Sequence, residues 1–165
     1  MVPAVVIRPL ERSEIPALVA INDAAYPAVP ITPIAEFAEL VDHSELALVA
    51  ERGGEPIGFL LAMAPGRDYA SENYRYFSDR SEDFLYIDRI VLAEGARGTG
   101  VGRALYAHVF EAARARGASE VTCEVNVQPP NPGSLAFHAT LGFRELGRQS
   151  TKGGAFVVAL LAAEV

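Results

Sequence analysis

The chain has 165 residues, half of them apolar, enough for one domain with a sizeable core and too few for two comfortable ones. Fourteen basic against twenty-one acidic residues leave a formal charge of −7, which argues against a nucleic-acid-binding or membrane-binding surface. No apolar run reaches the roughly 18 residues of a membrane span, the single cysteine (Cys123) cannot form an internal disulfide, and no secretory signal opens the chain, so a cytoplasmic location is expected.

Residues 5–8 are a short β-branched run, and Ser13-Glu14-Ile15-Pro16 then caps a helix that continues to Tyr26. Pro27 and Pro30 end it, and Thr32-Pro33 opens a second helix with Ile34, Phe37, Leu40 and Val41 on one face. Residues 46–51 and 56–63 are apolar strands joined through Arg52-Gly53-Gly54-Glu55, a hairpin signal. Residues 65–83 are polar and aromatic, with Tyr69, Tyr74, Tyr76 and Phe77 among charged side chains, and are expected as a long loop. Such a loop either connects, or recognises a substrate or another protein. Residues 84–92 form a fourth strand, 100–116 a long helix ended by Gly117, and 120–127 another strand. A short helix over 131–141, a strand over 143–149, a Gly153-Gly154 turn and a last strand over 155–161 complete the chain. Alternating elements with both parallel and antiparallel links define a mixed α/β or α+β class, expected as a single domain over residues 1–165.

The fourth strand, Ile87-Asp88-Arg89-Ile90-Val91-Leu92, runs into Arg97-Gly98-Thr99-Gly100-Val101-Gly102-Arg103 at the head of the long helix. Glycines here let a ligand approach the backbone, and a helix N-terminus offers unpaired N–H groups to an anion. From Gly95 to Gly117 four arginines stand against one glutamate, a local charge of +3 in an anionic chain. A pyrophosphate suits such a site. The dinucleotide pattern G-x-G-x-x-G fails because Arg103 stands at its third glycine, and the P-loop pattern fails because the one lysine is Lys152. His43 and His108 lack partners at metal-ligand spacing, and no metal is expected.

The pattern that fits is [QR]-x-x-G-x-[GA] over residues 97–102, followed by Asn131-Pro132-Gly133-Ser134-Leu135-Ala136-Phe137-His138-Ala139-Thr140-Leu141-Gly142-Phe143. The two blocks, in this order, resemble the coenzyme-side motifs of the GNAT superfamily of N-acetyltransferases. The resemblance implies a central mixed sheet of about seven strands, splayed between the fourth and fifth, with about four flanking helices. It implies acetyl-CoA as co-substrate, an amine of a small molecule or peptide as acceptor, and a homodimer as a plausible assembly. Coenzyme contacts would come from Ile90, Val91 and Leu92 on the strand, from Arg97, Gly98, Thr99, Gly100, Val101, Gly102 and Arg103 in the turn, and from Asn131, Ser134 and Phe137. Asn131 suits equally a helix N-cap before Pro132.

Direct transfer from acetyl-CoA asks for a neutral amine, donors for the developing oxyanion and relief of charge on the departing sulfur. The resemblance gives the donors to backbone N–H groups at Ile90, Val91 and Leu92. The family's usual glutamate falls at Tyr86 in this chain, and its usual tyrosine at His138. Tyr86 and Asp88, two apart on a strand, share a face, and Asp88 is the preferred carboxylate over Glu124 as base. The other reading of Asp88 is a structural pair with Arg89 or another basic residue. His138, even when neutral, has one N–H to offer the sulfur. The other reading of the same residues is a catalytically quiet acyl-CoA-binding or sensor module, because the common catalytic pair is replaced.

Overall fold

The structure, a computed structural model, describes residues 2–165. The strands are β1 (Val5–Pro9), β2 (Leu46–Arg52), β3 (Glu55–Met63), β4 (Phe84–Leu92), β5 (Glu120–Gln128), β6 (Arg144–Thr151) and β7 (Phe156–Glu164). The α-helices are α1 (Ile15–Ala24), α2 (Ile34–His43), α3 (Glu72–Arg80), α4 (Val101–Ala115) and α5 (Pro132–Thr140). The seven strands form one mixed sheet in the order β1-β2-β3-β4-β5-β7-β6. Fold class and strand number are those expected, and among the described residues the α-helices number five, against the expected four or so.

The residues gather into two compact units, residues 2–63 with Asp88–Val109, and Ala64–Ile87 with Phe110–Val165. In the first, β1, β2 and β3 pair antiparallel. Arg8 ties this meander together, its Nη1 and Nη2 donating to Glu14 at 2.8 Å each and its Nε to Glu51 at 2.6 Å. The hydrogen bonds from Arg8 hold the Glu14 carboxyl below its usual range. Phe37 of α2 meets Phe59 of β3 edge to face, with ring centroids 5.2 Å apart, and both are fully buried. Gly58 of β3 lies hard against β4: a methyl there would come within 2.7 Å of Leu92 Cδ2 and 2.9 Å of the Val91 carbonyl oxygen. The Ala93 amide donates to the Ile57 carbonyl at 2.8 Å, anchoring the end of β4 beside that contact.

In the second unit, β4 pairs in parallel with β5 over Phe84–Tyr86 against Glu120–Thr122, while β5, β7 and β6 pair antiparallel. The segment expected as a loop over 65–83 contains helix α3 (Glu72–Arg80, 9 residues), which corrects the sequence reading. Ser71 caps it by accepting from the Tyr74 amide at 3.2 Å, and Tyr74 and Phe77, one helical turn apart, are buried. The Tyr74 hydroxyl donates to the Ala64 carbonyl at 2.6 Å and accepts from the Arg67 amide at 2.9 Å. Arg80 forms an ion pair with Glu120 of β5. The helix escapes a sequence reading because only two aromatic side chains anchor it in an otherwise charged segment. Among the described residues, no helix is long and apolar enough to cross a membrane.

Candidate active site

The glycine turn takes its shape from backbone freedom. Gly98 and Gly100 have φ of 72° and 86°, in the left-handed region where side chains bring strain, and a Cβ at either would meet nothing within 4 Å. Residues 97–100 are exposed, so the open side of the turn faces solvent. Thr99 Oγ1 donates to the Ala96 carbonyl, pinning the turn to its lead-in. The Ala104 amide donates to the Gly100 carbonyl at 3.0 Å, where α4 begins, and the amides of its opening turn lack intrahelical acceptors, as at any helix N-terminus. Exposed Arg97 and Arg103 flank these amides with positive charge. The turn therefore suits the diphosphate of a coenzyme. Just upstream, β4 carries Ile90, Val91 and Leu92, of which Val91 is buried and the other two partly so.

Asp88 and Arg89 form a buried pair. Arg89 Nε donates to Asp88 Oδ2 at 2.8 Å, with side-chain exposures of 6% and 4%. Arg89 Nη1 reaches Asn22 Oδ1 and Thr32 Oγ1, both at 3.0 Å. Asn22 Nδ2 donates to the Pro30 carbonyl at 2.9 Å and to Asp23 Oδ1 at 3.0 Å, and the Thr32 amide donates to the same Asp23 oxygen at 3.0 Å. A buried cation amid this many acceptors satisfies its desolvation cost through hydrogen bonds and gives the Asp88 carboxylate a fixed partner. Arg89 is the residue whose role the sequence left undrawn beyond that pair; the signal was an arginine inside the apolar run of β4.

In the second unit the structure brings Tyr86 and Glu124 together. The buried Tyr86 hydroxyl donates to Glu124 Oε1, and Glu124 itself is half-buried. Tyr86 opposes Thr122 in the β4–β5 register, and Glu124 is two residues further on the same face of β5. Tyr74 and Phe77 of α3 pack on the Tyr86 ring at centroid distances of 5.5 and 5.8 Å.

At the head of α5, Asn131 accepts from the Ser134 amide at 3.4 Å and so serves as N-cap. His138 is 3% exposed and sits between Phe137 and Phe143, with centroids 5.4 and 5.2 Å away. Its Nδ1 lies 2.7 Å from the Ser134 carbonyl and 3.3 Å from Ser134 Oγ. A carbonyl only accepts, so Nδ1 carries the proton of the neutral ring. Burial pushes the imidazole pKa below its ordinary 6.5, against a smaller opposing effect of the Ser134 carbonyl. Among the described residues, no group of three or more His, Cys, Asp or Glu is placed to hold a metal ion.

The family model described as Acetyltransferase (GNAT) family matches residues 15–143. The chain belongs to that family. No curated protein matches it. Among solved structures, it is 25% identical to the ribosomal-protein-alanine N-acetyltransferase from Brucella melitensis, with 97% of this chain and 99% of that one covered and a TM-score of 0.73. It shares its fold with Ard1 from Thermoplasma volcanium, at 18% identity, 98% coverage of both chains and a TM-score of 0.81. It shares it also with yncA from Salmonella typhimurium, solved with its cofactor acetyl-CoA, at 19% identity, 98% and 94% coverage and a TM-score of 0.71.

Proposed function

We propose that this chain transfers an acetyl group from acetyl-CoA directly to a primary amine of a small molecule or peptide. The observation that carries the reading is the exposed, left-handed glycine turn at the head of α4 in a member of this acetyltransferase family. When bound, acetyl-CoA supplies an activated acyl carbon. The amine nitrogen attacks that carbon, a C–N bond forms, the C–S bond breaks with its electron pair leaving on sulfur, and the proton lost by the amine balances the one the thiolate gains.

Each group of residues has a part in this reading. Amides of residues 98–102, with Arg97 and Arg103, bind the diphosphate. Backbone N–H groups of Ile90, Val91 and Leu92 meet the developing oxyanion. Asn131, Ser134 and Phe137 serve the pantetheine arm. For the amine proton we favour Glu124, held by the Tyr86 hydroxyl, over Asp88, whose carboxylate is already committed to Arg89. His138 has a supporting role, because its one N–H as a neutral ring is directed at the Ser134 carbonyl.

The test is calorimetric binding of acetyl-CoA together with thiol release across a panel of amines, polyamines, amino acids and peptides. Binding by the unmodified chain, its loss in Gly100→Asp with the circular dichroism spectrum retained, and thiol release with at least one amine are the expected results. Retained affinity in Gly100→Asp defeats the coenzyme assignment. Binding with no thiol release from any amine selects the quiet acyl-CoA-binding module instead.

A further inference from the structure

Helix α3 has a second face besides the one that Tyr74 and Phe77 bury. Glu72, Arg75, Tyr76, Asp79 and Arg80, at helical spacing, border a cleft of about 470 Å³ together with Gln149 of β6. That volume falls within the range of small-molecule sites. The walls of the cleft are fastened to their surroundings inside the second unit. The Lys152 amide donates to Glu72 Oε2 at 3.0 Å, Gln149 Nε2 donates to Asn73 Oδ1 at 3.1 Å, and Arg80 pairs with Glu120. Walls held in this way are preorganised, which lowers the entropy lost when a ligand enters.

The four charged residues of this face divide by what they do for the fold. Glu72 and Arg80 make the contacts just named, and each suits the helix dipole, an acid in the first turn and a base in the last. Arg75 and Asp79 do neither. They stand one turn apart on one face, yet among the described residues neither pairs with the other or with any other charged side chain. Cation before anion is the less favourable order for such a pair, and Asp79 occupies the last turn, where the dipole disfavours an acid. Both remain exposed. Charges set against a local rule with no compensating contact are expected at functional positions. Beside them lies the half-buried ring of Tyr76.

An unpaired cation and an unpaired anion one turn apart, next to an aromatic ring, complement a small zwitterion. A simple anion would leave Asp79 uncompensated, and a simple cation would leave Arg75 so. We propose that the cleft between α3 and β6 binds a free α-amino acid, with its carboxylate on Arg75, its ammonium on Asp79 and its side chain against the Tyr76 ring. An ammonium paired with Asp79 keeps its proton and is no nucleophile for acetyl transfer. The cleft is therefore a ligand site separate from that of the acetyl acceptor, and it stands independently of the proposed transfer.

L-Phenylalanine is a suitable probe, with 3-phenylpropionate, which lacks the ammonium, and phenethylamine, which lacks the carboxylate, as its controls. Exposed charges bind weakly, so ligand-observed NMR on the full chain is the appropriate measurement. L-Phenylalanine is expected to bind more tightly than either control, because it alone meets both charges. Arg75→Gln and Asp79→Asn, at exposed positions, should each weaken it by about two- to fivefold with the circular dichroism spectrum unchanged. The exchange Arg75→Asp/Asp79→Arg sets the charges in the order a helix favours, so it should raise Tm and, by pairing the two side chains, lose the ligand. L-Phenylalanine that binds no better than its controls overturns the proposal, as does binding that survives both single variants. An exchange that lowers Tm also overturns it, since the native order then serves the fold. So does acetylation of L-phenylalanine that is lost in Asp79→Asn, which would make the cleft the acceptor site.

Discussion

His138 illustrates how one buried side chain links chemistry to pH. Its pKa is depressed by burial, so the unfolded chain binds more protons than the folded one as the solution is acidified. The contribution to stability is present in full above the ordinary value of 6.5 and is lost as pH falls from there toward the depressed folded value. For one proton the slope is at most about 1.4 kcal/mol per pH unit. Urea midpoints at pH 7.5 and 5.5 should therefore fall more for the unmodified chain than for His138→Phe; equal slopes would refute the linkage. Glu14 acts in the same direction at lower pH, since its carboxyl is held below the ordinary 4.5 by Arg8. At the proposed proton acceptor, Glu124→Gln should cost about 10²–10⁴-fold in kcat while acetyl-CoA affinity is kept, measured as thiol release with whichever amine proves active. An unchanged kcat would return the choice to Asp88 or a water. The sequence made Tyr86, Asp88 and Glu124 visible as candidates and preferred Asp88 to Glu124 as base. That Glu124 meets the tyrosine depends on the β4–β5 register, which is not written locally, whereas the Asp88–Arg89 pair joins neighbours in sequence and could be read.

At the scale of elements, the glycine turn and α4 were legible because their signals are local: left-handed glycines, a helix start and an arginine at fixed spacing. The α3 helix was not, because its stability comes from packing. Two aromatic residues, Tyr74 and Phe77, supply its buried face, and its charged remainder resembles a loop in composition. Phe77→Ala should accordingly destabilise the chain by about 3–5 kcal/mol, measured by urea unfolding. Phe77 also packs on Tyr86, whose hydroxyl meets Glu124, so Phe77→Leu should lower turnover with a milder effect on stability. A Phe77→Leu variant with unchanged kcat would confine α3 to a purely structural part. The connection between α1 and α2 was read from its prolines as a break between helices. Its inward Thr32 and outward isoleucines could not be separated by sequence, since the network that sorts them comes from Arg89, 57 residues away.

For the whole molecule, the charge of −7 and the local +3 around the turn and α4 act together. On the proposed function, the basic turn and α4 attract a polyanionic coenzyme to an otherwise anionic chain, so acetyl-CoA affinity should fall as salt rises and screens the attraction. Calorimetric titrations at low and high sodium chloride would check this, and an affinity independent of salt would mean that backbone contacts dominate. The seven-stranded mixed sheet was foreseen through the family resemblance rather than through strand periodicity, and its order was not, because pairing between distant strands leaves no local mark. Gly58 carries the last consequence. It stands in a hairpin strand distant in sequence from every motif, yet even a single methyl there presses on Leu92 and on the Val91 carbonyl. Across a mutational scan this position should behave like a member of β4. As the sequence drifts through evolutionary time, Gly58 would be kept in step with β4 and not with its own hairpin.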